Sequence, residues 1–171
     1  MSSETIREAV KNAIGYLTEH PDEAKSTDSF ATATIEEGLR CKVVGAGGTP
    51  IYTDMVTSVG GGNTAPSPGW MLRAATASCV ATMVAMKAAL EDVELGNVEV
   101  TVDSESDDQG ILGIDESVPA GPQSVRIRVK VSSSGADPEE LKRLVSWAHD
   151  HCPLCDLTKR EVPMTLETEI G

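Results

Sequence analysis

The residues of this chain best suited to covalent chemistry are cysteines in two widely separated places. Cys79 lies within a long run of small and apolar residues, and the segment 149–155, H-D-H-C-P-L-C, carries Cys152 and Cys155. A thiol is a nucleophile only as thiolate, so each cysteine needs a neighbouring cation, base or group of backbone N–H donors. The first question is therefore which structural elements position these sulfurs.

The spacing of these residues leaves several uses open. Cys79 and Cys152 could serve as nucleophile and resolving thiol. C-P-L-C has the spacing of a thioredoxin-type dithiol, although that motif normally follows a strand and here follows a predicted helix. The segment 149–155 also holds two histidines and two cysteines, which are zinc-ligand types, but no second CxxC accompanies them. A buried cysteine can also be a packing residue, as Cys41 is in its predicted strand.

Composition limits the partners that the chain could have. The 171 residues are enough for one domain with a real core, and the formal net charge is −13. Such a charge argues against nucleic acid or an anionic membrane as partner. The N-terminal residues contain no apolar signal core, so we expect a cytoplasmic protein with free thiols. In that compartment, four cysteines favour redox, nucleophilic or metal chemistry.

The stretch 65–91 predicts the helix around which the chain is organised. Ser67 is a suitable N-cap and Pro68 a suitable first residue, and the apolar run continues to Leu90. Because nearly every face of this helix is apolar, it should be buried. Polar residues within the helix argue against a membrane span. Cys79 lies too far from its first turn to gain from the helix dipole.

The first third of the chain predicts a helix and a sheet. An apolar stripe over residues 3–19 indicates an amphipathic helix, so we divide the chain into a helical appendage, 1–25, and a main domain, 26–171. Strand patterns at 30–35, 39–44 and 50–57 predict an antiparallel meander. The glycine-rich loop at 60–63 matches neither a Walker loop nor a dinucleotide fingerprint, so it is not interpreted as a phosphate site.

The second half of the chain predicts two strands, two helices and a last strand. Strict alternation at 98–103 and 125–131 indicates half-buried strands joined by a long acidic loop. A capping box starting at Asp137 predicts a helix that ends near Cys152. If Pro153 opens another short helix, Cys152 is its N-cap. Residues 162–170 are predicted to form a closing strand. The order of elements indicates an α+β fold.

One set of motifs resembles a known family. The run G-G-N-T-A-P-S-P-x-x-M-L-R-A-A-x-A-S-C, the later H-C-P and the A-T-A-T of the first strand are similar to those of the OsmC/Ohr family. The resemblance starts at about Phe30 and leaves out the N-terminal helix. The A-P-S-P variant is closer to the less-characterised OsmC-like branches.

The resemblance implies an intertwined homodimer, with antiparallel sheets around two long central helices and active sites at the subunit interface. It also implies a thiol-dependent peroxidase that reduces organic hydroperoxides without a bound cofactor or metal. Cys79 would be the reactive thiol, Cys152 the resolving thiol and Arg40 the cation that stabilises the thiolate. A small dithiol or a lipoyl-type protein would then reduce the disulfide.

This chain departs from the family pattern at Gly69, where the peroxidases carry a glutamate that orients the arginine. We therefore expect weaker activation of the thiolate than in those peroxidases. Cys155 is an additional thiol that could assist or replace Cys152. The alternative functions are a non-catalytic or small-molecule-binding OsmC-like domain, and a redox or metal site at C-P-L-C.

Overall fold

The computed structural model describes residues 2–171. These residues form five helices, five strands and two short 3-10 helices. In chain order these are α1 Ser3–Glu19, a 3-10 helix Pro21–Ala24, β1 Ala31–Glu37, β2 Arg40–Gly45, β3 Ile51–Thr53, a 3-10 helix Thr57–Val59, α2 Pro68–Leu90, β4 Leu95–Glu105, α3 Asp108–Ile111, β5 Ser124–Ser133, α4 Pro138–Asp150 and α5 Pro153–Lys159. The predicted α+β class is confirmed. None of these helices combines the length and the apolar character needed to cross a bilayer.

Helix α1 starts where Ser2 accepts a hydrogen bond from the backbone N–H of Thr5. It packs against α2, and an ion pair joins Arg7 to Asp92 just beyond the end of that helix. No residue of α1 is buried. The helix therefore lies on the surface of the single chain.

Strands β1, β2 and β3 form an antiparallel sheet in that order, as the predicted meander requires. The third strand is shorter than predicted, because the chain turns away at Asp54. Opposed residues share a face of such a sheet, so Ala33, Ile35, Val43 and Ile51 line one side. All seven residues of β1 are exposed. One chain alone therefore leaves this sheet largely uncovered.

Helix α2 has the predicted bounds, and Ser67 caps it by accepting a hydrogen bond from the N–H of Trp70. One stripe of this helix is buried, spaced four residues apart: Thr76, Val80, Val84 and Ala88. The antiparallel hairpin β4–β5, helix α4 and helix α5 pack against it. Burial is thus less complete than the sequence predicts, since Trp70 and Leu72 at the start of α2 are exposed.

The C-terminal segment corrects one prediction. Residues 162–170 form no strand, and Met164, Leu166 and Ile170 are at least 90% exposed. Alternation fits a strand only where a sheet edge is available for backbone pairing. The last regular element is instead α5, which Pro153 opens with Cys152 at the N-cap position, as predicted.

Candidate active site

The structure brings together two thiols that lie 73 positions apart. Sγ of Cys79, on α2, is 3.1 Å from Sγ of Cys152, which immediately precedes α5. Both cysteines are in the free thiol form. A disulfide bond is about 2.05 Å long, so a shift of about 1 Å would be enough for the two sulfurs to bond.

The packing of three helices fixes this approach. Val80 and Val84 of α2 and Ala148 of α4 form one fully buried cluster with Cys152, and Cys155 of α5 joins it. Ala148 precedes Cys152 by about one helical turn, so the packing of α4 places the Cys152 thiol against α2. Cys152 has no exposed surface, while Cys79 retains partial exposure.

The two sulfurs of this pair differ in acidity within the single chain. Burial raises the pKa of Cys79, and so does its hydrogen bond to Cys152. For Cys152 burial acts in the same direction, but it is outweighed by hydrogen bonds from Cys79 and Cys155 and from the backbone N–H groups of Leu154 and Cys155. The pKa of Cys152 is therefore lowered, and the thiolate is better stabilised on this sulfur.

Cys155 is the third member of the cluster. Its residue surface is 3% exposed, and burial together with the hydrogen bond to Cys152 and the charge there raises its pKa to about 12. Lys159 acts in the opposite direction on this pKa. Cys155 is thus protonated in the reduced protein.

A mostly apolar cavity of about 350 Å³ lies beside the thiols. Leu154 and Cys155 belong both to its wall and to the thiol cluster. The remaining apolar wall is formed by Leu72, Val102, Ile111, Ala120, Pro122, Val125 and Ile127. Arg73, Lys159 and His149 supply its basic groups. A cavity of this size and character suits a small organic molecule.

Arg40 lies in a separate network. Its guanidinium donates to Oγ1 of Thr64 at 2.7 Å, stacks on the ring of Tyr52 at 4.4 Å and pairs with Glu36. Thr64 in turn donates to the buried carboxylate of Asp54 at 2.8 Å. In one chain the structure therefore brings Cys79 and Cys152 together, whereas Arg40, at the start of β2, is bound to Thr64 in the loop that precedes α2.

The glycine-rich loop surrounds the carboxylate of Asp54 with hydrogen-bond donors. Backbone N–H groups of Met55, Gly62 and Thr64 donate to this carboxylate, and with the Thr64 hydroxyl they lower its pKa to about 2. A Cβ on Gly61 would lie 2.0 Å from the carbonyl oxygen of Met55. The loop thus needs glycine because its backbone folds tightly against Met55.

The histidines of the segment 149–155 are engaged elsewhere. His151 stacks on Trp147 with ring centroids 4.0 Å apart, and its Nδ1 lies 2.8 Å from the Trp147 carbonyl oxygen. Nδ1 of His149 lies 3.2 Å from Asp150 and 3.3 Å from Lys159. Within residues 2–171, no three His, Cys, Asp or Glu residues are arranged to hold a metal ion.

Sequence reasoning missed Asp54, Thr64 and Arg73. The only signal for the first two was the glycine cluster at 60–62, which indicated a tight backbone without indicating what it encloses. Arg73 lies in the apolar run of α2 and donates to Ser104 at 3.2 Å. The sequence alone does not show that Arg73 lines a cavity, because the hairpin β4–β5 forms the opposite part of its wall.

The fold and the paired thiols define a class of α+β proteins that hold a cysteine on a central helix. Residues 60–167 match the family described as OsmC-like protein, and the chain belongs to this family. No curated protein is detectably similar to it in sequence.

Solved structures share the fold. An OsmC-like protein from Mycoplasma pneumoniae is 12% identical and superposes with a TM-score of 0.67 over 79% of this chain and 89% of its own. An organic hydroperoxide resistance protein OsmC from Legionella pneumophila is 20% identical, with a TM-score of 0.57 over 77% and 90%. An organic hydroperoxide resistance protein from Elizabethkingia anophelis is 20% identical, with a TM-score of 0.59 over 79% and 90%. At these identities the likeness establishes the fold.

Proposed function

We propose that this protein is a thiol-dependent peroxidase that reduces organic hydroperoxides. The observation that carries the proposal is the separation of 3.1 Å between the sulfurs of Cys79 and Cys152, beside an apolar cavity. Two solved structures with this fold are named organic hydroperoxide resistance proteins, which agrees with this chemistry.

The reaction proceeds in two steps. The thiolate of Cys79, which is the more accessible sulfur, attacks the peroxide oxygen remote from the organic group. The O–O bond breaks, and the alkoxide that leaves takes up a proton from water to become the alcohol. Cys79 is then a sulfenic acid. Sγ of Cys152 attacks this sulfur, water leaves and a Cys79–Cys152 disulfide forms. The short separation of the sulfurs makes the second step intramolecular and fast.

A homodimer supplies the cation that Cys79 needs. On one face of the uncovered sheet β1–β3, Ile35 is 65% exposed and Ile51 47% exposed, which favours packing against a second copy. We propose that this packing brings Arg40 of the partner subunit to the thiol pair. The guanidinium of Arg40 is oriented within its own subunit, because it donates to Thr64, which in turn donates to Asp54.

The organisation of the chain follows from the same proposal. Residues 26–171 contain the dimer interface and both thiols, and residues 1–25 are a helical appendage with no buried side chain in α1.

The catalytic cycle needs a small dithiol or a lipoyl-type protein to reduce the disulfide, so we place the protein in the cytoplasm. The net charge of −13 disfavours nucleic acid and anionic membranes as partners. Neither a cofactor nor a metal takes part.

Peroxide consumption under steady-state conditions tests the proposal. With dihydrolipoamide as reductant, the protein should reduce cumene hydroperoxide faster than hydrogen peroxide, because the cavity wall is mostly apolar. Cys79→Ser should abolish the reaction, whereas Cys41→Ser removes a thiol of β2 as a matched control. A Cys79→Ser variant that works as well as the wild type would overturn the peroxidase assignment.

A small-molecule-binding domain is the second candidate, and the raised pKa of Cys79 in the single chain favours it. In that case the cavity of about 350 Å³ would bind an organic ligand without turnover. A hydrophobic fluorescent probe should then bind equally well to the wild type and to Cys79→Ser, and neither should consume peroxide.

A further inference from the structure

Cys155 has no task in a mechanism that uses two thiols. It is nevertheless buried in the same cluster as Cys152 and lines the apolar cavity. Its position three residues after Cys152 places both across the first turn of α5. Residues with this spacing in a helical turn have Cα atoms roughly 5 Å apart, which is within the range of disulfides.

Cys152 therefore has a sulfur neighbour on each side. Cys79 lies 3.1 Å away on α2, and Cys155 on α5 belongs to the same buried cluster. A disulfide can move along such a row, since a thiolate attacks one sulfur of a disulfide and displaces the other as thiolate.

We propose that Cys155 completes a three-sulfur relay that passes the disulfide from Cys79–Cys152 to Cys152–Cys155, and that the second disulfide is the form reduced by an external dithiol. This inference rests on the proposed peroxidase function. In the exchange, the Cys155 thiolate attacks Sγ of Cys152. The bond between Cys152 and Cys79 breaks, Cys79 leaves as thiolate, and the proton that Cys155 gave up can return to that sulfur. No net oxidation or reduction occurs until the external dithiol takes up the disulfide.

The structure gives this relay an order. In the reduced protein burial keeps Cys155 protonated, and the hydrogen bond to Cys152 and the charge on that sulfur reinforce the effect. Once Cys152 is bonded to Cys79 it carries no negative charge, so these two contributions disappear. The pKa of Cys155 then falls, aided by Lys159. Cys155 is thus more easily deprotonated once Cys152 has been oxidised.

The relay also moves the disulfide to the wall of the apolar cavity. Cys152 is fully buried, whereas Cys155 forms part of the cavity wall with Leu154, Thr158 and Lys159. Cys79 and Cys152 are not part of this wall, so a reductant in the cavity is nearest to Cys155. The exchange at the same time frees Cys79 for a second hydroperoxide before the reductant has acted.

Peptide mapping separates the two disulfides. Trypsin places Cys79 in the peptide 74–87, and both Cys152 and Cys155 in the peptide 144–159. A Cys79–Cys152 disulfide therefore cross-links two peptides, while a Cys152–Cys155 disulfide leaves the peptide 144–159 alone and lighter by two hydrogen atoms. The full-length protein is treated with one equivalent of cumene hydroperoxide, sampled over time by acid quench and alkylated before digestion.

We expect the cross-linked pair to form first and then to be lost as the internal disulfide of the peptide 144–159 appears, with Cys79 again open to alkylation. Cys41→Ser should give the same sequence of species. Consumption of peroxide with a cross-link that persists and a Cys155 that stays alkylatable would overturn the relay while leaving the peroxidase intact. A wild type that consumes no peroxide would overturn the proposed function instead.

A second measurement does not depend on peroxide. Equilibration of the wild type with mixtures of oxidised and reduced dithiothreitol should yield the internal disulfide of the peptide 144–159 as the main oxidised species. A cross-link between the peptides 74–87 and 144–159 as the main species at equilibrium would contradict the relay, whatever the outcome with peroxide.

Discussion

Oγ1 of Thr64 accepts a hydrogen bond from Arg40 at 2.7 Å and donates its own hydrogen bond to Asp54 at 2.8 Å. Under the proposed function, this arrangement orients the guanidinium of Arg40 in a chain that has Gly69 where the resemblance leads one to expect a glutamate. The acids of this network are Asp54, which follows β3 and binds Thr64, and Glu36, which pairs with Arg40 directly. The orientation of Arg40 is thus built into the chain by a different route.

Thr64→Val tests this route. The variant keeps the shape of the side chain but removes the hydroxyl, so Arg40 loses one of its partners. We expect the second-order rate with cumene hydroperoxide to fall by about 10–100-fold, as is typical when a supporting partner of a reactive group is lost. Thr64→Ser retains the hydroxyl and should restore the rate. Equal losses in both variants would show that Thr64 acts only through packing.

Gly61→Ala should disturb the loop that surrounds Asp54. The new Cβ would lie 2.0 Å from the Met55 carbonyl oxygen, so the backbone must shift. We expect a loss of about 1–3 kcal/mol in the free energy of unfolding, measured with urea. Gly47→Ala is the matched control, because a Cβ there meets nothing within 4 Å. Equal stability of the two variants would contradict the tight fit of this loop.

The dimer proposal predicts a difference between two faces of one strand. Ile35→Asp places a charge on the face shared with Ala33, Val43 and Ile51, and should convert the dimer to a monomer. Thr32→Asp places the same charge on the opposite face and should leave the dimer intact. Light scattering after size-exclusion chromatography gives both masses. A monomeric wild type would refute the proposed dimer directly.

Acid should destabilise the fold over a defined range of pH. The Glu91 carboxylate, which accepts hydrogen bonds from Arg143 and Lys87, has its pKa lowered from 4.5 to about 2. A lowered pKa means that the stabilisation is complete above pH 4.5 and is lost as the pH falls towards 2. Asp54, with its pKa also lowered to about 2, adds to the same loss.

Urea unfolding at a series of pH values measures this effect. Glu91→Gln should flatten the decline in the unfolding midpoint between pH 4.5 and pH 2. Glu167→Gln, in the exposed C-terminal segment, should leave the decline unchanged. An identical pH profile for the wild type and Glu91→Gln would contradict the role of the Arg143 ion pair.

Local sequence signals predicted the helices well because caps and breakers are local. Ser67 with Pro68 and Asp137 with Pro138 each mark a helix start, and the structure confirms both. The closing strand at 162–170 failed because alternation describes a side-chain pattern and says nothing of a free sheet edge. Strand β3 was predicted too long, since the turn at Asp54 depends on a loop that lies after it.

The site was less accessible to sequence reasoning than the elements were. Spacing could offer Cys79 and Cys152 only as one of several pairings, and the family resemblance selected between them. The approach of their sulfurs depends on how α4 packs on α2, which no local pattern encodes. The network around Arg40 depends on a buried carboxylate, and an isolated Asp54 carries no signal of its burial.

The cross-link between α2 and the start of α5 tests the central claim most directly. In Cys155→Ser, with the relay removed, one equivalent of cumene hydroperoxide should join the tryptic peptides 74–87 and 144–159 through Cys79 and Cys152. If both of these cysteines remain open to alkylation after the treatment, or if Cys79 is oxidised without any cross-link, the pairing of the two sulfurs is not the basis of the function.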